Sequence, residues 1–216
     1  MKAFLYKEWK LTLSPSFLLF TALAALVLVP NYPAIVGVGF VFQGIYLYFT
    51  LARGNRDTEF SLILPISRRS IVKGKMTVVA ILELTQLAAA AVFALVADFV
   101  LWKTGNPVFI DPNFAFFGIA LLGFAVFHLV FFPWVFGRYA KPGLPLVVGL
   151  LAFCGAYALF EILVHAIPAL GTALDSLAVS AIHWRLILFA AGGAAYALSL
   201  PLSFRMSAEK FERASL

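Results

Sequence analysis

The hydrophobic positions of this chain lie in long, nearly continuous runs, and the polar residues gather in short segments between them. A helix that crosses the hydrocarbon core of a bilayer needs about 20 mostly apolar residues. Six apolar runs are candidates for such spans: 16–29, 34–52, 70–102, 114–136, 144–165 and 184–204. The pattern therefore predicts an all-α integral membrane protein, with six transmembrane helices in a single domain over residues 1–216.

Two further segments are predicted to be helical without crossing the bilayer. Leu5, Trp9 and Leu13 recur at i, i+4 spacing within 1–13, which is typical of an interfacial helix on the membrane surface. Residues 166–183 contain a proline and a glycine and are too short for a full crossing. We expect short re-entrant helices there, on the outer side between spans five and six.

The composition supports a membrane protein, and the charges orient it. Hydrophobic residues make up 63% of the chain and charged residues 12%, against roughly half and a quarter in soluble domains. Of the 16 lysine and arginine residues, 14 fall in the N-terminal segment, the loops after spans two and four, and the C-terminal tail. Basic segments stay on the cytoplasmic side, so we expect both termini in the cytoplasm. The net charge of +6 then reflects orientation, and no nucleic acid partner is expected.

The loop 53–75, between spans two and three, contains the pattern of a short helix. Asp57 and Thr58 suit its N-terminal cap, and Glu59 suits its first turn. Apolar residues at i, i+3, i+4 spacing then share one face, and a proline ends the helix. These residues are Phe60, Ile63, Leu64 and Pro65. An apolar face outside the bilayer usually marks a contact with a partner.

The run LPISRRSIVKGK, which follows this acidic and aromatic segment, resembles the membrane subunits of type-2 ATP-binding-cassette (ABC) exporters. The opening MKAFLYKEWK is similar to the N-terminal segment of the same proteins, in particular the small six-helix bacterial permeases of the peptide-exporter kind. The resemblance implies that Asp57 to Leu64 form a coupling helix, which docks into a groove of a separate ATPase subunit.

The resemblance also implies the rest of the assembly. Two ATPase subunits would bind ATP and Mg²⁺, and a second permease half, identical or related, would complete the translocation path. The protein would lie in the bacterial plasma membrane. Its substrate would be an antimicrobial or other amphipathic peptide, a lipid-like molecule or a drug.

The sequence contains none of the short motifs that carry nucleotide or metal chemistry. There is no G-x-x-x-x-G-K-[ST] run, no H-E-x-x-H, no metal-spaced set of cysteine and histidine, and no G-x-S-x-G. We therefore expect no catalytic residue, metal ligand or cofactor in this chain, and an exporter half of this kind must take its ATPase from another chain.

Polar residues within the predicted spans are candidates for function, because charge in the bilayer is costly. Glu83 and Gln86 share one face of span three, where they would line a translocation path or form interhelical hydrogen bonds. The second interpretation is favoured. His128 is alone in span four, and we interpret it as a hydrogen-bonded interior histidine rather than as part of a path.

Glu161 and His165 lie at i, i+4 on span five, with Tyr157 one turn earlier on the same face. The spacing fits an ion pair, a proton relay or a metal pair near the outer surface. A structural polar pair is favoured over a gate. Two other functions stay open: an intramembrane enzyme that uses Glu161, His165 and His128, and a non-transporting immunity or sensor protein.

Overall fold

The computed structural model describes residues 6–8, 15–63, 66–100, 106, 108–137, 141–175 and 179–213. Within these ranges the regular structure is helical and contains no strand. In chain order the helices are α1 (Ser16–Ala22), continued by a 3₁₀ segment (Leu23–Leu28), α2 (Ala34–Gly39), α3 (Val41–Gly54), α4 (Asp57–Ile63), α5 (Arg68–Val100), α6 (Phe114–Gly137), α7 (Gly143–Ala166), α8 (Pro168–Leu174), a 3₁₀ turn (Val179–Ala181) and α9 (Ile182–Arg213).

Among the described residues, five helical stretches are long and apolar enough to cross a membrane: α2 with α3, then α5, α6, α7 and α9. The segment Ser16–Leu28 is a shorter apolar helix. The prediction of an all-α membrane protein with about six spans is confirmed. The shorter segment gains length from its 3₁₀ part, whose rise of about 2.0 Å per residue gives roughly 22 Å in all.

The last helix extends beyond the predicted span. The sequence pattern ended span six at Phe204 and assigned the charged residues after it to a tail, but α9 continues as a helix to Arg213. Its final turns are stabilised by packing, since Ser207, Ala208 and Phe211 are buried. The predicted interfacial helix 1–13 lies outside the described residues except for 6–8.

α6 is the most buried of the long helices and forms the centre of the bundle. Phe124, Phe127 and Phe131 are fully buried along it. α9 packs along α6 so closely that a Cβ atom on Gly118 would lie 2.6 Å from the carbonyl oxygen of Leu188. The two helices therefore form a tightly joined pair, against which α7 packs from another side.

The two ends of the bundle carry different polar residues. At one end, here called the basic end, Arg68 donates to the carbonyl oxygens of Phe211 and Glu212 at 3.3 and 3.0 Å, which joins the start of α5 to the end of α9. The other end, here called the opposite end, holds the loop 108–113 and helix α8. The predicted functional residues lie in three separate groups: one at the basic end, one at the middle of the spans and one at the opposite end.

Candidate functional site

Helix α4 at the basic end has one buried face and one exposed face. Arg56, whose φ of 51° lies in the left-handed region, turns the chain into it. Asp57, Thr58 and Ser61 are buried. On the other face Phe60 is 54% exposed and Ile63 is 84% exposed, with the exposed Glu59 beside them. The apolar face predicted from the sequence is therefore present at these two positions.

Two members of the predicted coupling segment, Leu64 and Pro65, lie outside the described residues. The described helix α4 ends at Ile63.

The buried face of α4 is held by a group of four charged residues, here called the charge cluster: Lys7, Glu8, Asp57 and Lys75. Lys7 Nζ lies 2.6 Å from Asp57 Oδ1, and Lys75 Nζ lies 2.8 Å from Asp57 Oδ2. Glu8 lies between the same two lysines, at 3.2 Å from Lys7 and 3.6 Å from Lys75. The cluster joins the N-terminal segment, α4 and α5 at one point.

Two neutral hydroxyl groups, one a donor and one an acceptor, complete the charge cluster. The Tyr48 hydroxyl donates to Glu8 Oε2 at 2.6 Å, and Lys7 donates to Ser61 Oγ at 2.7 Å. Burial alone would raise the pKa of Asp57, but the adjacent Lys75 and Lys7 outweigh burial and lower this pKa. Two lysines and two carboxylates leave no net charge, which is the condition under which buried charges are tolerated.

A second group lies at the middle of the spans and is here called the mid-membrane cluster: Glu83, His128, Tyr196 and Ser199. Glu83 Oε2 is 2.8 Å from His128 Nε2 and accepts from the Tyr196 hydroxyl at 2.9 Å. His128 Nδ1 is 2.8 Å from Ser199 Oγ. All four residues are buried. The cluster joins α5, α6 and α9, a pairing that no local sequence pattern indicated.

One arrangement of protons fits the contacts of the mid-membrane cluster. When Ser199 donates its proton to the carbonyl oxygen of Tyr196, at 2.8 Å, it accepts from His128, and Nδ1 then carries a proton. The contact between His128 Nε2 and Glu83 Oε2 then requires one proton between these two atoms. The pair is neutral overall whether this proton lies on the imidazole or on the carboxyl group.

Gln86, one turn from Glu83, contacts different helices. Its Nε2 donates to the carbonyl oxygen of Gly37 at 2.7 Å and to that of Phe20 at 3.3 Å. Gln86 thereby ties α5 to the first two spans, whereas Glu83 ties α5 to α6 and α9. Both residues form interhelical hydrogen bonds, so α5 is anchored on two sides at the same depth.

The third group, at the opposite end, contains the predicted Glu161 and His165. Glu161 Oε1 accepts from the backbone N–H of Ile110 at 3.0 Å. His165 Nδ1 donates to the backbone oxygen of Glu161 at 2.8 Å and lies 3.7 Å from its carboxylate. Tyr157 is buried one turn away against Phe116. Glu161 thus holds the loop 108–113 as well as its own helical neighbour.

The sequence did not indicate two further acids at the opposite end. Asp175 Oδ1 accepts from the backbone N–H of Asp111 at 2.7 Å, and Asn113 donates to the carbonyl oxygen of Leu174 at 2.9 Å. Burial, together with the nearby carboxylate of Asp111, raises the pKa of Asp175 to about 6. These contacts fasten the loop to α8.

The three groups remain apart in the fold. His128 belongs to the mid-membrane cluster, while Glu161 and His165 bind the loop at the opposite end. The set Glu161, His165 and His128 is therefore not assembled into one site. In the part of the chain that the structure describes, no group of three or more His, Cys, Asp or Glu residues is arranged to hold a metal ion.

Comparison with known proteins identifies the family. The family described as "ABC-2 family transporter protein" matches residues 3–212, nearly the whole chain. No curated protein and no solved structure matches the chain. The family match agrees with the membrane-spanning helices described above and with the resemblance found in the sequence. The chain belongs to the ABC-2 family of transporter proteins and is a multi-pass permease component of an ABC transporter.

Proposed function

We propose that this permease is half of an ABC exporter, and that α4 docks into a groove on a separate ATPase subunit. The observation that carries the proposal is the asymmetry of α4. Asp57, Thr58 and Ser61 face the protein, while Phe60 and Ile63 stand exposed at the basic end. A soluble partner would bury these two side chains, and burial of each is worth about 1.5–3 kcal/mol at most.

The charge cluster supplies the route by which docking would move the spans. Lys75 lies on α5, a helix of 33 residues that continues from the basic end to the mid-membrane cluster. A displacement of α4 would therefore be passed to α5 through the ion pair of Asp57 and Lys75, and from α5 to α6 and α9. Switching transitions of this type use rigid elements that move as units.

The proposal includes the remaining parts of an exporter. Two ATPase subunits bind ATP and Mg²⁺, a second permease half, identical or related, completes the path, and the substrate is an amphipathic or antimicrobial peptide, a lipid-like molecule or a drug. The membrane is the bacterial plasma membrane. The basic end and both termini face the cytoplasm, in line with the bias of lysine and arginine.

Orientation is tested with reporter fusions. A reporter inserted at Asn106, in the loop of the opposite end, should report an external location, and one at Lys141 should report the cytoplasm. The reverse result at either position would contradict the proposed orientation of the basic end.

Docking is tested with the double variant Phe60→Ala, Ile63→Ala. Loss of two apolar contacts should lower affinity for the ATPase at least tenfold, since about 1.4 kcal/mol corresponds to a factor of ten. The matched control is Leu198→Ala, Leu202→Ala, two exposed apolar residues one turn apart on α9. The measurements are co-purification of the ATPase and ATP hydrolysis in reconstituted vesicles.

The control should still co-purify with the ATPase and support ATP hydrolysis. Both double variants should insert normally into the membrane. If the α4 double variant binds the ATPase and supports hydrolysis at wild-type levels, α4 is not the coupling helix.

A further inference from the structure

The side of the bundle between α5, α6 and α9 carries a groove of about 570 Å³, here called the lateral groove. It lies in the half of the spans nearer the opposite end. All but three of its lining residues are apolar. Small residues of α5, Ala88 and Ala91, form part of its wall, and Phe117 and Phe189 line it from the other helices.

The polar residues of the lateral groove all lie at one end. Asp98 is near the end of α5, Asn113 precedes α6, and Arg185 is near the start of α9. From Asp98 to Leu84 the groove follows α5 for 14 residues, which is about 21 Å. This length reaches from the membrane surface past the depth of one leaflet, about 15 Å of hydrocarbon.

The apolar wall of the lateral groove is open to the side of the protein. Leu84 is 49% exposed and Phe114 is 46% exposed. Because these helices cross the membrane, the medium at this side is the acyl region of the bilayer. At its apolar end the groove reaches Leu84, the residue after Glu83, whose hydrogen bond with Tyr196 joins α5 to α9.

We propose that the lateral groove is a binding site for one acyl chain of a bilayer phospholipid, with the headgroup at the level of Asp98 and Arg185. The chain fills the apolar part, and its end lies near the mid-membrane cluster. One acid and one base at the headgroup level carry no net charge, so the site selects an acyl chain of suitable length rather than an anionic headgroup.

The test fills the groove with an aromatic ring. Ala88→Phe and Ala91→Phe each place a ring in the groove, and Ala88 is exposed, so this substitution does not overfill the core. The control is Ala158→Phe, an exposed alanine on α7 away from the groove. Each protein is reconstituted in vesicles of equal parts phosphatidylethanolamine and phosphatidylglycerol and extracted in mild detergent. Native mass spectrometry then counts the phospholipids retained per chain, and thermal unfolding confirms the fold.

Wild type and Ala158→Phe should retain phospholipid of both headgroups, and either groove variant should reduce this retention at least fivefold without loss of fold. Equal retention in all four proteins would overturn the proposal. So would a loss of dimer mass with unchanged lipid, because a second copy of the chain would then cover the groove. Retention of phosphatidylglycerol alone would also overturn it, because binding would then depend on headgroup charge.

Discussion

The charge cluster and the mid-membrane cluster both bury carboxylates, and they neutralise them in different ways. At the basic end, two lysines balance Glu8 and Asp57. In the middle of the spans, one proton shared with His128 balances Glu83. A charged side chain at the centre of the bilayer costs about 3 kcal/mol on insertion scales, and less near the surface. The charge cluster, near the membrane surface, therefore keeps full charges on its side chains. The mid-membrane cluster, where charge costs more, contains a pair that is neutral overall.

The largest effect is expected when the charge cluster loses one charge. Lys75→Met leaves Glu8 and Asp57 with Lys7 as the only lysine of the cluster. Removal of one partner of a buried ion pair costs about 3–5 kcal/mol, so the thermal unfolding temperature should fall strongly. Thermal unfolding in detergent measures this change.

The control for this prediction restores neutrality. Lys75→Met combined with Asp57→Asn leaves one lysine and one carboxylate, so part of the lost stability should return. A double variant that is less stable than Lys75→Met would show that charge balance is not what stabilises the cluster.

A smaller effect is expected when the shared proton of the mid-membrane cluster is removed. In Glu83→Gln, one amide group faces both His128 Nε2 and the Tyr196 hydroxyl. An amide nitrogen donates to the imidazole but leaves the hydroxyl proton without an acceptor, while an amide oxygen accepts from the hydroxyl but leaves the imidazole nitrogen without a donor. One buried polar group loses its partner, which costs about 1–3 kcal/mol.

Adding Tyr196→Phe tests whether the instability of Glu83→Gln comes from one unpaired polar group or from loss of the carboxylate itself. With the hydroxyl absent, the amide nitrogen introduced by Glu83→Gln donates to His128 without conflict. The double variant Glu83→Gln, Tyr196→Phe should therefore be more stable than Glu83→Gln alone. Thermal unfolding measures the stability of both single variants and of the double variant. If the double variant loses as much stability as the two single variants together, the assigned proton count is wrong.

The smallest effect on stability is expected from the ionisation of Asp175, which lies near the carboxylates of Asp111 and Glu161 at the opposite end. Its pKa in the folded protein is about 6, above the ordinary value of 3.8, because of burial and the nearby Asp111. The folded state binds this proton more tightly than the unfolded state, so ionisation destabilises the fold. Stability should rise as the pH falls from above 6 toward 4.

Asp175→Asn keeps an oxygen for the Asp111 backbone N–H and removes the charge. It should be more stable than the wild type at pH 8 by about 1 kcal/mol, and the difference should vanish near pH 4. Unfolding measured at both pH values tests this. A difference that is the same at both would exclude ionisation of Asp175 as the cause.

The sequence predicted the parts of this protein that depend on local pattern. Apolar run length located the spans, and i, i+3, i+4 spacing located the helix that begins at Asp57. Its apolar side chains Phe60 and Ile63 are exposed, as the spacing indicated. Local spacing suffices here because a helix face is determined by residues three and four positions apart.

The sequence did not predict which polar residues meet across the fold. Local pattern indicates Asp57 as a helix cap but does not indicate its contacts with Lys7 and Lys75, which lie 50 and 18 residues away. His128 is alone in its own span, and its partner Glu83 lies on another helix. These pairings depend on tertiary packing, which local periodicity does not specify. The available signal was chemical, because a buried charge requires an opposite charge or a proton donor.

The short first span gives the molecule two unequal sides within the plane of the bilayer. Its described helix, Ser16–Leu28, is about 22 Å long, while the hydrocarbon core is about 30 Å thick. Lipids beside this helix must shorten or tilt to match it, whereas those beside α5, with 33 residues, need no such adjustment. We therefore expect the bilayer to be thinner beside the described part of the first span than beside α5.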